Sequence, residues 1–357
     1  MILVKFIRKI LSDYRLFKGR KRALEYERKN LSFFSSQKLT KSEYSGLKNQ
    51  WGRLGLKIYP DVYKIYKGCV EFDPRYLADD LYYPYMLGAL NPRQYSVGLS
   101  HKAFYEIIFH DVKQPKTICK CIRGIFYDNH GNVISSTEAK EILERKMPFI
   151  IKPTVDASTG KNVMKITSSC DYSRIFKTIG EDFIAQEIIK QSKQTSVLNP
   201  SSLNTIRVSS LYLNGKFSIV SMVVRMGKKN SVVDNLGAGG LMLGIHDDGS
   251  FYDFAYDSKY VKSVDNDGVI FKGKGIDNIE VIKSFIEDLH VKHLPHMSFI
   301  GWDIALNEDD EPVLIEANLQ WPSIQFTQLA VGRPVFAERT DEVIDYVVNF
   351  YNSKGKC

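Results

Sequence analysis

Phe299-Ile-Gly-Trp-Asp-Ile-Ala-Leu306 and Pro312-Val-Leu-Ile-Glu-Ala-Asn318 are two apolar runs joined by Asn307-Glu-Asp-Asp-Glu311, the pattern of a β-hairpin. A two-residue turn at Asp309-Asp310 sets Leu306 opposite Val313 and Asp303 opposite Glu316, so two carboxylates share one face. Directly opposed side chains have Cβ atoms about 5 Å apart, and like charges there repel unless a cation lies between them. Without a cation, one of the two carboxyls is expected to titrate high. Asn318 projects from the same face as Glu316 and adds a neutral oxygen. Three hard oxygens around an open position are the donor set of a magnesium site with room for phosphates. The plainer alternative pairs both acids with surface lysines, but each sits inside an apolar strand, where unpaired charge is costly.

Upstream, Met147-Pro-Phe-Ile-Ile-Lys-Pro153 reads as a buried strand that delivers one charge, Lys152. The small-residue loop Thr154-Val-Asp-Ala-Ser-Thr-Gly-Lys-Asn-Val163 follows and leads into Met164-Lys-Ile166. Such a flap can wrap backbone amides and the Ser158 and Thr159 hydroxyls around phosphate oxygens, with Lys152 and Lys161 neutralising charge. Its single glycine, Gly160, makes it a weaker cradle than a Walker loop. The alternative is a solvent-facing hairpin beneath a snorkelling lysine. Asp182-Phe-Ile-Ala-Gln-Glu-Ile-Ile189 is an apolar strand edge carrying Gln186 and Glu187, a segment able to offer apolar walls and backbone hydrogen bonds to a purine.

With 357 residues, 44% hydrophobic and 25% charged, the chain has room for two or three domains. Helical and strand patterns alternate early and strands dominate later, which points to an α+β or mixed architecture. Residues 100–112 are expected to form a helix capped by Ser100, and 117–127 strand segments ending in the turn Asp128–Asn132. A further helix is expected from Thr137 to Lys146, where Thr137 and Lys140 fail to make a capping box. The net charge of +8 is concentrated in the first thirty residues, where Leu3, Phe6, Ile7, Ile10, Tyr14 and Phe17 recur at helical spacing. That basic amphipathic helix packs on its own protein, lies on an anionic membrane surface or, as a third reading, touches nucleic acid. No nucleic-acid-binding motif, signal peptide or spanning segment is evident, and the expected location is the cytoplasm, with peripheral contact at the inner face of the membrane left open. Five cysteines at irregular spacing read as reduced thiols, and Cys119-Lys-Cys121 lacks the second pair a zinc site needs. His290, His293 and His296 are spaced by threes, but Pro295 interrupts the helix that would align them on zinc.

Taken in order, Lys152 with its flap, Gln186-Glu187-Ile188-Ile189, Asn204-Thr-Ile-Arg207, Arg225, Asp234-Asn-Leu-Gly-Ala-Gly-Gly240 and Gly-Trp-Asp303 followed by Ile-Glu316-Ala-Asn318 resemble the ATP-grasp superfamily. They are most similar to the sugar-transfer-associated ATP-grasp proteins of bacterial surface-polysaccharide biosynthesis, over about residues 95–335. The resemblance implies an ATP-grasp fold, in which two α+β subdomains clasp ATP behind a basic helical N-terminal segment. The corresponding division is 1–60 for that segment, 61–145 for an N-terminal α/β region, 146–190 for the flap subdomain and 191–352 for the large subdomain with the metal site. It also implies that Lys102 and Lys152 contact ATP, that Gln186, Glu187, Ile188 and Ile189 hold adenine, and that Asn235 lies in a nucleotide-facing loop. By the same resemblance, Arg207 and Arg225 would face the phosphates or an acyl phosphate, and Asp303, Glu316 and Asn318 would hold Mg2+. No acid follows the hinge to take the ribose, only Lys190, Gln191, Lys193 and Gln194.

The function so implied is a carboxylate-amine ligase working through an acyl phosphate on a sugar acid or amino acid. An ATP-grasp kinase acting on a hydroxyl and a non-catalytic nucleotide-binding module are the alternatives. If Asn214-Gly215 is a two-residue turn, Arg207 opposes Met222 and Arg225 opposes Asn204, on opposite faces. Both reach one site only if a bulge or longer turn intervenes.

Overall fold

Hydrophobic alternation and turn chemistry sort the strands into two antiparallel sheets. The structure is a computed structural model and describes residues 2–155, 162–228, 231 and 234–354, with side chains described between 13 and 353. Among the described residues, β1 (Thr117–Ile122), β2 (Ile125–Asp128), β3 (Val133–Ile134), β4 (Phe149–Pro153), β5 (Met164–Ile166) and β6 (Phe183–Glu187) form a six-stranded sheet ordered β3-β2-β1-β6-β4-β5. A seven-stranded sheet begins with β7 (Thr205–Leu213), β8 (Lys216–Met226), β9 (Leu241–Ile245), β10 (Phe251–Tyr256) and β11 (Lys262–Ser263). After a small separate pair, β12 (Asp265–Asn266) and β13 (Val269–Ile270), it is completed by β14 (Phe299–Leu306) and β15 (Pro312–Asn318), in the order β11-β10-β9-β8-β7-β14-β15. This is the α+β architecture expected. The first sheet nonetheless draws strands from both sides of the expected 145/146 boundary, because β1 pairs with β6 as well as β2.

Two local expectations are revised, the first for a tertiary reason. Residues 100–112 are not one helix: a 3-10 turn at Lys102–Phe104 runs into a short helix at Tyr105–Ile108. Ser100 donates its hydroxyl to the Ser96 carbonyl at 2.7 Å instead of capping, and the Lys102 amide is drawn to the Thr154 carbonyl at 3.1 Å. The helix expected from Thr137 runs Ser136–Arg145 and does have a full capping box, set two residues earlier by Ser135 and Glu138.

Two hairpins determine where charged side chains meet. Asn214 and Gly215, with φ of 53° and 73°, make the expected two-residue turn. Pairing holds as far as Ser210 with Ile219, then Val220 bulges and Ser209 pairs with Ser221. From there Arg207 opposes Val223 and Arg225 opposes Thr205, so both arginines lie on one face. In β14–β15 the loop is five residues long, because the Asn307 side chain accepts the Asp309 and Glu311 amides at 3.1 and 2.8 Å. Leu306 therefore faces Pro312, not Val313, but Ile315 bulges and Asp303 is again opposite Glu316. The expected pairing is reached through two departures that cancel.

The face of β7 carrying Arg207 also carries Ser209, Leu211 and Leu213. Leu211 and Leu213 lie in a core shared with Tyr82, Phe336 and Val343, so the N-terminal helical body and the helix Thr340–Lys354 cover that end. The opposite face, with Ile206, Val208 and Trp302, packs against the helix Ile279–Asp288. The N-terminal helix α1 (Ile2–Arg28) docks through its described part. Leu24 is buried, Gly19 lets Pro84 approach, and Arg20 pairs with Asp80 while also donating to the Lys57 carbonyl at 2.6 Å.

Gly244 in β9 sits where the helix Ile324–Val331 rests on the sheet. A Cβ there would collide with the Ala330 carbonyl and lie 2.6 Å from Tyr252 Cδ2. Gly244→Ala should cost about 1–3 kcal/mol in urea denaturation. An unchanged midpoint and slope would disprove the close approach.

Candidate functional site

Glu316, Asp303 and Arg207 form one row across three neighbouring strands, since Asp303 opposes Glu316 on one side and Arg207 on the other. Asp303 and Arg207 are each 3% exposed. Arg207 holds the carboxylate in a fork, donating from Nε to Oδ1 and from Nη2 to Oδ2 at 2.9 Å, while its Nη1 donates to the Pro322 carbonyl at 3.1 Å. Arg225 reaches the same carboxylate from the adjacent row, with Nη1 3.1 Å from Oδ2, and its Nη2 donates to Asp234 Oδ1 at 3.2 Å. Burial alone would raise the Asp303 carboxyl, but Arg207 and Arg225 outweigh it and hold it down at about 2. Burial opposes charge on Arg225 too, and Asp234 and Asp303 more than restore it. Gly301 supplies the space, since a Cβ there would lie 3.1 Å from Pro322 Cβ and 3.3 Å from Arg207 Cδ.

The expected repulsion between Asp303 and Glu316 is therefore overturned. Two guanidiniums neutralise Asp303, and Glu316 accepts a 2.7 Å hydrogen bond from the buried Lys102 ammonium. Neither bond was accessible from one hairpin considered alone.

Lys152 enters from β4 of the smaller sheet. Burial and the nearby Lys102 charge pull its ammonium down to about 8, against the opposing pull of Glu316 and Asp303. No ion-pair partner for Lys152 lies among the described residues. Tyr105 pins β15 from behind, accepting the Ala317 amide at 2.9 Å and donating to the Ala317 carbonyl at 3.3 Å.

The oxygens decide what the expected metal set can do. Asp303 already accepts bonds from Arg207, Arg225 and, at 3.3 Å, the Asn318 amide nitrogen, which fills a carboxylate's acceptor capacity. Glu316 Oε2 and Asn318 Oδ1 accept no hydrogen bond among the described residues. A hard cation thus finds two ready oxygens, with Asp303 available once Arg225 or Asn318 lets go.

The other expected residues lie in varied places. Ser158, Thr159, Gly160 and Lys161 fall outside the described residues. Gln186 donates its amide to the Pro115 carbonyl at 3.1 Å, and the Glu187 amide is committed to the Lys116 carbonyl at 2.9 Å. Ile188 and Ile189 follow the end of β6 as half-buried residues, and Gln191 then bridges to Asn307 in the β14–β15 loop, so this stretch is the connection between sheets. Asn235 uses Oδ1 to accept the Gly237 amide at 2.7 Å, a turn contact. The three histidines diverge: His290 bonds Ser210 and the Met297 carbonyl, and His293 the Ile108 carbonyl. Cys119 and Cys121 are buried free thiols, and burial pushes Cys119 up to about 12.

Two residues escaped sequence reasoning. Asp234 partners Arg225 and accepts the Thr205 amide at 3.2 Å, contacts made across a loop that no spacing rule links. Trp321 is 60% exposed, stands one residue before the carbonyl that holds Arg207, and lies over Tyr83 with ring centroids 5.0 Å apart. Its nearness in sequence to Glu316 and Asn318 was the available signal.

Residues 172–343 match the family model described as sugar-transfer associated ATP-grasp. That span includes Arg207, Arg225, Asp303, Glu316 and Asn318 but not Lys102 or Lys152. No curated protein matches the chain. Among solved structures it is similar to the ATP-grasp ligase PsnB complexed with minimal precursor, at 12% identity and a TM-score of 0.42, covering 72% of this chain and 64% of that one. The D-alanine-D-alanine ligase from Helicobacter pylori gives 13%, 0.43, 73% and 64%. N5-carboxyaminoimidazole synthetase from Staphylococcus aureus, complexed with ADP, gives 11%, 0.40, 67% and 52%. The chain thus spans less than two thirds of the length of each.

A buried carboxylate whose titration is held at about 2 adds stability above the ordinary aspartate range, and that stability is lost as the pH falls from this range through about 2. Asp303→Asn should cost about 3–5 kcal/mol near neutrality by stranding two guanidiniums. It should also flatten the acid limb of a stability-versus-pH curve measured by urea titration. A variant with the wild-type acid limb would remove Asp303 from that role.

Proposed function

We propose that this chain is an ATP- and magnesium-dependent ligase that activates a substrate carboxylate as an acyl phosphate and passes it to an amine, releasing ADP and phosphate. The observation that carries the proposal is the convergence of Arg207, Arg225, Lys102 and Lys152 on Asp303 and Glu316 where the two sheets meet. Cations held by carboxylates that phosphates can replace, beside a Lys152 with no ion-pair partner among the described residues, suit a polyanion, and the family match over residues 172–343 supports ATP as that polyanion.

Lys102 and Lys152 would contact the phosphates, and Ser158, Thr159 and Gly160 would offer them hydroxyl and amide donors. The connection at Gln186, Glu187, Ile188 and Ile189 would flank the adenine, and Asn235 the nucleotide side of its loop. Glu316 and Asn318 would hold magnesium, joined by Asp303, and the ion when bound would offset charge on the phosphates. Arg207 is fixed by the Asp303 fork and the Pro322 carbonyl, so its charge is pre-positioned. Arg225 has a buried Nε with no partner, a donor for an oxyanion developing in the transfer. Positioning and charge compensation of this kind are most of what phosphoryl transfer asks of a protein. Trp321, one residue before the carbonyl that holds Arg207, would offer a ring face to a sugar acid or amino acid acceptor, and the sugar-transfer association of the matched family supports a role in polysaccharide assembly. Among the described residues no helix is long and apolar enough to cross a membrane.

Incubation with Mg-ATP and paired sugar acids and amines should release inorganic phosphate only when both partners are present. Phosphorylated product without free phosphate would make the chain a kinase. Saturation with Mg-ATP at a hundred times its dissociation constant should add about 2.7 kcal/mol of stability, and a thermal scan without any shift would sink the ATP reading.

Lys152 gives a pH signature. Its ammonium loses a proton near 8 in the free protein, so affinity for a non-hydrolysable ATP analogue should fall as the pH rises through that value. Lys152→Arg, which stays charged, should bind with a flat profile from neutrality into the alkaline range. A wild type that is itself flat would take Lys152 out of phosphate binding.

A further inference from the structure

The helix α1 is fixed in rotation by its inner face. Besides Leu24, Gly19 and Arg20, Glu27 contributes by accepting the Asp79 amide at 2.9 Å, and Arg28 pairs with Asp61 at 2.7 Å. Rotation fixed this way dictates what points outward. Tyr14 and Phe17 are 53% and 65% exposed, and Lys18, Lys21 and Arg22 share the outward side at helical spacing. Lys18 lies 4.8 Å from the Tyr14 ring centroid, so cation and ring form one patch. Asp13 and Glu25 are the acids exposed along this stretch, and Glu25 meets Lys21 only at 3.9 Å.

We propose that this outward face of α1 seats the protein on an anionic lipid surface. The inference is independent of the ligase reading. The helix is 27 residues, about 40 Å long at 1.5 Å per residue, and none of the helices described can span a bilayer, which leaves a position parallel to the surface. Aromatic rings settle at headgroup depth, and lysines and arginines beside them meet lipid phosphates. Exposed rings of this size on a helix whose other face is already packed have no use in folding the chain. A nucleic-acid surface would draw on the same cations but gives Phe17 no apolar medium to enter. The helix also continues N-terminally to Ile2, through the part of the sequence richest in alternating apolar and basic residues.

The test is flotation of the full chain with vesicles of phosphatidylcholine alone and of equimolar phosphatidylcholine and phosphatidylglycerol. The full chain should float with the anionic vesicles only, and less as salt is raised. The triple variant Phe17→Ser/Lys18→Glu/Arg22→Glu, all at exposed positions, should bind at least tenfold more weakly with an unchanged melting temperature. Absence of flotation with anionic vesicles, equal flotation with neutral ones, or a triple variant that floats like the wild type would overturn the proposal. So would tighter binding to a DNA duplex than to vesicles, or a solution dimer that the triple variant dissociates.

Discussion

One buried carboxylate, gripped by two guanidiniums, sets the terms for this protein. Asp303 could not be tolerated buried in the larger sheet without Arg207 and Arg225, and Arg207 could not be tolerated without it. The arrangement is satisfied only when β14, β7 and β8 are in a single register, so a shift of one residue in any of them strands a charge. Gly301, Pro322 and Asp234 follow from it. The first makes room for the arginine stem, the second supplies a carbonyl, and the third occupies the far side of Arg225.

As it stands, the cluster is largely self-neutralised. Lys102 answers Glu316 and the arginines answer Asp303, which leaves Lys152 as the cation without a close counter-charge among the described residues. A polyanion entering such a place exchanges partners as well as finding new ones, because each lysine bond to phosphate competes with one already made inside the protein. That exchange ties ligand binding to the relation between the sheets, since Lys102 is bonded to the Thr154 backbone, two residues beyond Lys152, and also to Glu316 on the larger sheet.

The acidic hairpin was legible in the sequence because its signal is local. Strand alternation fixes which side chains share a face, and charge inside an apolar run marks itself. The fold class was legible from the same patterns. The partners of those acids were not, for a bulge is one extra residue with no composition of its own, and both Val220 and Ile315 are ordinary strand formers. Sequence could state only the condition under which Arg207 and Arg225 meet, and the bulge at Val220 supplies it. Residues 100–112 misled because backbone groups there are claimed by distant partners, Thr154 and Lys120. Asp234 was quoted but left without a role for the same reason: its partners Thr205 and Arg225 are near in space through the sheet.

The β7–β8 and β14–β15 hairpins each place a bulge between their turn and the charged row. The bulge works as a slip joint. At the turn end the loop can gain or lose a residue, and the joint takes up the difference before the mismatch reaches Asp303 or Arg225. A one-residue change of length at the tips of these hairpins is therefore absorbed before it reaches the charged row, whose pairing stays where it is.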